Sequence, residues 1–153
     1  MTSGLELREE PYDGPAAQAL IAAVQQEYVV RYGGPDDSPV EPGEFAPPAG
    51  RFLVGYMGTE PVATGGIRTR GDGTVEIKRM YVVPAWRGRG LSREMLAALE
   101  DRARLLGASR VVLETGMRQP EAMRLYETSG YERIGGFGYY CGAELSVSYG
   151  KSL

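Results

Sequence analysis

Histidine is absent from all 153 residues, and cysteine occurs once, at Cys141. Without an imidazole there is no Ser-His-Asp or Cys-His catalytic site and no His-ligated metal. One thiol allows no internal disulfide and no multi-cysteine zinc or iron–sulfur site. Acid–base chemistry therefore falls to Glu, Asp, Tyr, Lys or that single thiol. A basic surplus is missing too. The 17 Lys and Arg stand against 20 Asp and Glu, for a net charge of −3. That argues against a protein built to coat nucleic acid. No apolar run approaches the ~18 residues that would span a bilayer. Met1–Glu10 is acidic and has no apolar centre of the signal-peptide kind. The expectation is a cytoplasmic protein with neither a nucleic-acid nor a membrane partner.

The length suits one domain, residues 1–153, with one core. Leu5 and Leu7 alternate with charged neighbours, a short strand ended by Pro11. Pro15 opens a helix whose apolar positions run from Ala16 to Tyr28 at helical spacing, and Gly33 and Gly34 stop it. Residues 33–50 break the pattern, with five of the ten prolines at Pro35, Pro39, Pro42, Pro47 and Pro48. No regular helix or central strand tolerates that. The segment reads either as a surface connection or as a lid over a site. Three strands with short turns then cover Arg51–Met57, Pro61–Arg70 and Thr74–Val83. Gly90–Leu106 is an amphipathic helix, with Leu91, Met95, Ala98, Leu99 and Arg102 near one face. A strand at Arg110–Thr115, a helix at Pro120–Ser129, and strands at Tyr131–Ile134 and Glu144–Tyr149 complete the chain. The central strand–helix–strand unit requires one parallel pair with a right-handed crossover. The fold class is α/β in the α+β sense: a mixed sheet with helices on both faces.

One stretch carries chemistry on its face. Val82 to Ser92 is a strand end, a turn reading Trp86-Arg87-Gly88-Arg89-Gly90, and a helix start. The first amides of a helix lack internal partners and sit at the positive end of its dipole. Gly88 and Gly90 let a ligand approach the backbone, Arg87 and Arg89 add charge, and Ser92 adds a hydroxyl. A pyrophosphate suits this cradle. It is neither a P-loop nor a dinucleotide fingerprint.

Two motifs resemble the GNAT family of N-acetyltransferases. The family's acetyl-CoA loop follows Arg/Gln-x-x-Gly-x-Gly/Ala. Here Arg87 and Gly90 match, and Ser92 is a small-residue departure. Downstream the family often carries Asn-x-x-Ala-x-x-Leu-Tyr-x-x-x-Gly-Phe/Tyr. This chain has Gln119, Ala122, Leu125, Tyr126, Gly130 and Tyr131 at those places, with Gln replacing Asn. The motifs come in family order, about 30 residues apart, on the expected elements. The resemblance covers about residues 50–135. It implies a mostly antiparallel central sheet with a V-shaped splay between two parallel strands. It also implies direct acetyl transfer from acetyl-CoA to an amine, with no metal and with a homodimer through the last strands.

Residue by residue, the resemblance places the pantetheine chain against the backbone of Met80, Tyr81 and Val82. The pyrophosphate falls to Arg87, Gly88, Arg89, Gly90, Leu91, Ser92 and Arg93, and Gln119 takes the family asparagine's hydrogen bond to the chain. Tyr126 aligns with the tyrosine that serves as acid toward the departing thiolate; Tyr131, Tyr139 and Tyr140 are the nearest competitors for that role. Glu76, ahead of Glu114, is the base, or a water relays the proton. Cys141 has no expected role, because direct transfer needs no acyl-enzyme. Arg68, Arg70, Lys78, Arg79 and Arg118 fall near the cleft, and arginine suits a carboxylate. Arg79 and Arg118 would then hold an amino acid or derivative, whereas the acidic Pro-rich loop would favour a polyamine or aminoglycoside. Two other readings are a CoA-binding sensor or interaction module without turnover, and a phosphate-ligand protein that uses only the helix-end cradle.

Overall fold

The computed structural model describes residues 4–153; residues 1–3, part of the acidic N-terminal stretch, lie outside the described residues. The strands are β1 (Glu6–Glu9), β2 (Gly50–Met57), β3 (Glu60–Gly71), β4 (Thr74–Val82), β5 (Arg110–Gly116), β6 (Glu132–Ile134) and β7 (Ser146–Ser152). The helices are α1 (Pro15–Tyr32), α2 (Leu91–Leu105) and α3 (Pro120–Thr128), with single 3₁₀ turns at Pro42–Phe45 and Pro84–Trp86.

Local chemistry explains the boundaries. Pro15 sits at the first turn of α1, where its missing N–H costs nothing. Gly33 ends that helix in the left-handed region, its N–H donating to the Val29 carbonyl at 2.9 Å. Ala17, Leu20, Ile21 and Val24 form the buried stripe of α1. In α2 the buried apolar residues are Leu91, Met95, Leu96, Leu99 and Ala103. Arg102, expected near that face, instead reaches outward to Glu9 at 3.2 Å.

The seven strands form one sheet in the order β1-β2-β3-β4-β5-β7-β6. Every neighbouring pair is antiparallel except β4 with β5. The last strand of the chain inserts between β5 and β6, so β6 becomes the edge. Alternation along the strands feeds two cores. Leu53, Ile67, Val75, Ile77, Val111 and Leu113 pack against α2 and α3. Phe52, Val54, Tyr56 and Tyr81 pack against α1 and Phe45 on the other face.

Candidate active site

The sheet opens at its parallel pair. β4 and β5 are in register at Thr74 with Arg110, Val75 with Val111 and Glu76 with Val112, and not beyond. Past that point β4 stays paired with β3 as far as Val82, and β5 with β7 as far as Gly116. The two strands therefore part in a V whose apex is Glu76 and Val112. The inner edges of the V carry backbone groups with no strand opposite them. An extended ligand rich in amides can pair there as a missing strand would.

A cavity of about 1130 Å³ fills the V and extends to the N-terminus of α2. Met80, Tyr81, Val82, Arg87, Gly88, Gly90, Leu91, Ser92, Arg93 and Gln119 line it, as do Glu76, Glu114 and Tyr126. Arg89 and Arg118 do not. Arg89 lies over the Trp86 ring, 4.6 Å from its centroid. Arg118 donates to the Arg31 carbonyl at 2.9 Å, at the C-terminal end of α1. It is exposed and does not line the cavity. Arg79 borders the cavity, but its side chain is 2% exposed and ion-paired to Asp36. Its Nη1 is held by Asp36, while its buried Nε has no hydrogen-bond partner among the described residues.

At the cradle, Gly90 is the N-cap of α2 at φ 80°, and no side chain caps the helix. The first amides of α2 therefore remain available to an anion. Arg87 is braced by donating to the Val82 carbonyl at 2.8 Å and to Glu27 at 2.7 Å. Arg93 donates to Thr128 at 2.6 Å and Ser129 at 3.1 Å, which ties α2 to the end of α3. Gln119 is the N-cap of α3, and its Oε1 accepts from Tyr32 Oη at 3.2 Å.

Tyr126 rises from α3 on the α2 side of the sheet, 5% exposed, with its ring edge-on to Tyr131 at 5.7 Å. Its hydroxyl makes no hydrogen bond among the described residues. Burial, helped by nearby Tyr28, holds that phenol above its ordinary pKa. Tyr28 reaches the same cavity from α1, on the other face, and burial pushes its pKa up to about 12. The cavity thus passes through the sheet at the V.

The two glutamates differ. Glu76 is buried, and its Oε1 accepts from Arg68 Nε at 3.0 Å and Arg70 Nη1 at 3.3 Å. Among the described residues Glu114 accepts one bond, from the Tyr140 backbone N–H at 3.0 Å on Oε2, and its buried Oε1 has no partner. Burial raises the Glu114 pKa, the Glu76 charge adds to the rise, and the Tyr140 amide opposes it.

The Pro-rich segment is a wall of the site. Gly33 to Asp37 line the cavity, and Gln25 grips Asp36 through both its backbone N–H (2.7 Å) and carbonyl (3.2 Å). Farther along, Arg68 donates to the Pro39 carbonyl at 2.8 Å and to Glu44 at 3.1 Å. Asp36 receives Lys78 at 3.0 Å, Tyr140 Oη at 2.7 Å, Ser38 Oγ at 2.6 Å, and Arg79. Burial alone would raise its pKa, but Lys78, Ser38 and Arg79 hold the carboxyl well below the usual range. Sequence reasoning had singled out neither Asp36 nor Tyr28. Both meet the site through partners remote in the chain.

The Acetyltransferase (GNAT) family pattern matches residues 17–131. The chain belongs to the GNAT acetyltransferase family. An IAA acetyltransferase from Azospirillum brasilense is 34% identical over 148 residues, covering 92% of this chain and 95% of the relative. A Klebsiella pneumoniae structure described as an acyl-CoA N-acyltransferase superposes with a TM-score of 0.83 at 31% identity, covering 99% of both chains. A GNAT acetyltransferase from Elizabethkingia anophelis with acetyl-CoA bound shares the fold at TM-score 0.73 and 12% identity, covering 99% of this chain and 100% of that one. This GNAT protein is an acetyl-CoA-dependent N-acetyltransferase. Among the described residues, no helix is long and apolar enough to cross a membrane, and no group of three or more Cys, Asp or Glu is placed to hold a metal ion.

Proposed function

We propose that the acceptor is the primary amine of a small molecule, and that it attacks the thioester of acetyl-CoA directly. The observation that carries this reading is the parting of β4 from β5 beside the uncapped N-terminus of α2. Pantetheine lies along Met80–Val82, and the pyrophosphate lies at Arg87–Arg93. The amine nitrogen bonds to the carbonyl carbon and the carbon–sulfur bond breaks. The amine's proton goes to Glu114, and the departing sulfur takes a proton from Tyr126. Glu114 fits the base better than Glu76, because Glu76 is ion-paired to two guanidinium groups while Glu114 accepts only a backbone N–H among the described residues. The Tyr126 hydroxyl is buried at the cavity and makes no hydrogen bond among the described residues, which leaves it available to the sulfur as charge grows there.

Arg68, Arg70, Lys78 and Arg79 are all paired to Glu44, Glu76 or Asp36. An amine without a carboxylate beside it fits this wall better than an α-amino acid does. The same reading takes the chain as one domain, cytoplasmic, and paired as a homodimer.

Thiol release from acetyl-CoA across a panel of primary amines tests the reaction. At least one amine should release thiol in proportion to acetylated product. Tyr126→Phe should cut turnover roughly 100-fold or more while CoA affinity holds. Unchanged turnover would remove Tyr126 from the acid's role.

A further inference from the structure

Arg79 is strained. Its φ is 61°, left-handed, in the middle of a strand, where a side chain with a Cβ is costly. The strain sits in a bulge. The β3–β4 ladder pairs Gly66 with Lys78 and next Thr64 with Tyr81. Gly65 therefore faces two residues, Arg79 and Met80. The Arg79 carbonyl takes its hydrogen bond from the Thr64 hydroxyl, at 2.8 Å. A bulge of this kind re-aims everything beyond it. What lies beyond is Met80–Val82, one inner edge of the V.

Something must hold that conformation, and Asp36 is placed to do it. Its Oδ2 meets Arg79 Nη1 and Lys78 Nζ, and both of those side chains are nearly fully buried. Its Oδ1 accepts from Ser38 and from Tyr140 Oη. Tyr140 in turn donates its backbone N–H to Glu114. The Asp36 carboxylate thus joins the Pro-rich wall, the β4 bulge and the loop before β7, and its backbone is tied to α1 through Gln25.

We propose that Asp36 is a positioning residue. Its ion pair with Arg79 holds the left-handed turn of the β4 bulge and so sets the strand edge that receives acetyl-CoA. Its bond from Tyr140 ties that edge to the loop before β7 and, through the Tyr140 N–H, to Glu114. The inference rests on the assignment of acetyl-CoA to the V. It gives Arg79 the task of holding backbone shape in place of binding substrate.

Glycine separates shape from contact, because it takes positive φ without a Cβ. CoA affinity would be measured by calorimetry on the full chain and on Arg79→Ala, Arg79→Gly, Asp36→Asn and the Asp36→Asn/Arg79→Gly double variant. Circular dichroism would check each fold. Arg79→Ala loses the anchor and keeps the Cβ, so it should bind CoA about 10-fold more weakly than wild type. Arg79→Gly should recover most of that loss. Asp36→Asn should cost about 10-fold with Arg79 present and less than about 3-fold with glycine at 79, a non-additivity that marks direct coupling. Should Asp36→Asn fail to fold, the alanine–glycine pair still decides. With wild type binding CoA, glycine as weak as alanine overturns the inference alone, as does an equal cost of Asp36→Asn in both backgrounds. Wild type that binds no CoA at millimolar concentration overturns the acetyl-CoA assignment, and the inference falls with it.

Discussion

Glu76 and Glu114 point to the same face of the parting strands. Glu76 is level with Val112, and Glu114 lies two residues farther along β5. Chemistry divides them. The Glu114 carboxyl titrates above the ordinary carboxylate range because it is buried and near Glu76. As the proposed base, Glu114 would work only when ionised, so kcat/KM should fall on an acidic limb set above the usual glutamate pKa. Glu114→Gln should lose that limb and about 100-fold or more in rate, while Glu76→Gln keeps the limb. A limb that survives in Glu114→Gln, read from the pH–rate profile, moves the base elsewhere. The stability sign follows from linkage. Between the unfolded and the raised folded pKa, the folded chain keeps a proton that the unfolded chain releases. Stability contributed by Glu114 is therefore present below the ordinary carboxylate pKa and lost as pH rises through the folded one. Melting curves should show the Glu114→Gln variant gaining on wild type as pH rises through that window.

Among the elements, the join between α1 and α3 depends on Gly116 at the end of β5. A Cβ there would lie 1.8 Å from Tyr32 Oη and 2.3 Å from its Cζ. Tyr32 lies across that strand end to reach Gln119, the N-cap of α3. Gly116→Ala should displace Tyr32, cost about 1–3 kcal/mol from overpacking, and raise the acetyl-CoA KM through Gln119. Denaturant melts and steady-state kinetics measure the two effects. A variant as stable as wild type would show that Tyr32 moves aside freely. Nothing local announces this contact, whereas the elements themselves are plain in the chain. Pro15 and Pro120 at first helical turns, and Gly33 and Gly107 just past helix ends, act through nearest neighbours, so a reader of residues can place them. The cradle at Gly88 and Gly90 is legible for the same reason. The insertion of β7 between β5 and β6 is not, because strand pairing across a dozen residues leaves no periodic trace. The Pro-rich segment is legible as irregular, yet its wall function hangs on Asp36 meeting side chains more than 40 residues away. Arg79 is misleading by type. A buried, ion-paired non-glycine residue in the left-handed region looks in the sequence like a free cation.

At the scale of the molecule, the V leaves the sheet in two parts. One part holds β1 to β4 and the other β5, β7 and β6, and only three register pairs join them directly. The core beneath α2 and α3 carries the rest of the join. A ligand that pairs with both inner edges of the V adds contacts which the unfolded chain cannot make. By mass action, CoA at about 100 times its Kd should add about 2.7 kcal/mol. For a chain of this size that is a rise in Tm of roughly 5–10 °C. The gain should be uneven. Backbone amides of Met80–Val82 and of Leu113–Gly116 should exchange more slowly with CoA bound, while β1 and β2, far from the opening, should change little. Hydrogen exchange read by mass spectrometry distinguishes this from a ligand held by its phosphates alone. Adenosine 3′-phosphate 5′-diphosphate, which keeps the pyrophosphate and lacks the pantetheine arm, occupies only the α2 cradle, so it should raise Tm less and leave the strand edges unprotected. Equal protection of β4 and β5 by both ligands would mean that the cradle, and not the parted strands, carries the binding.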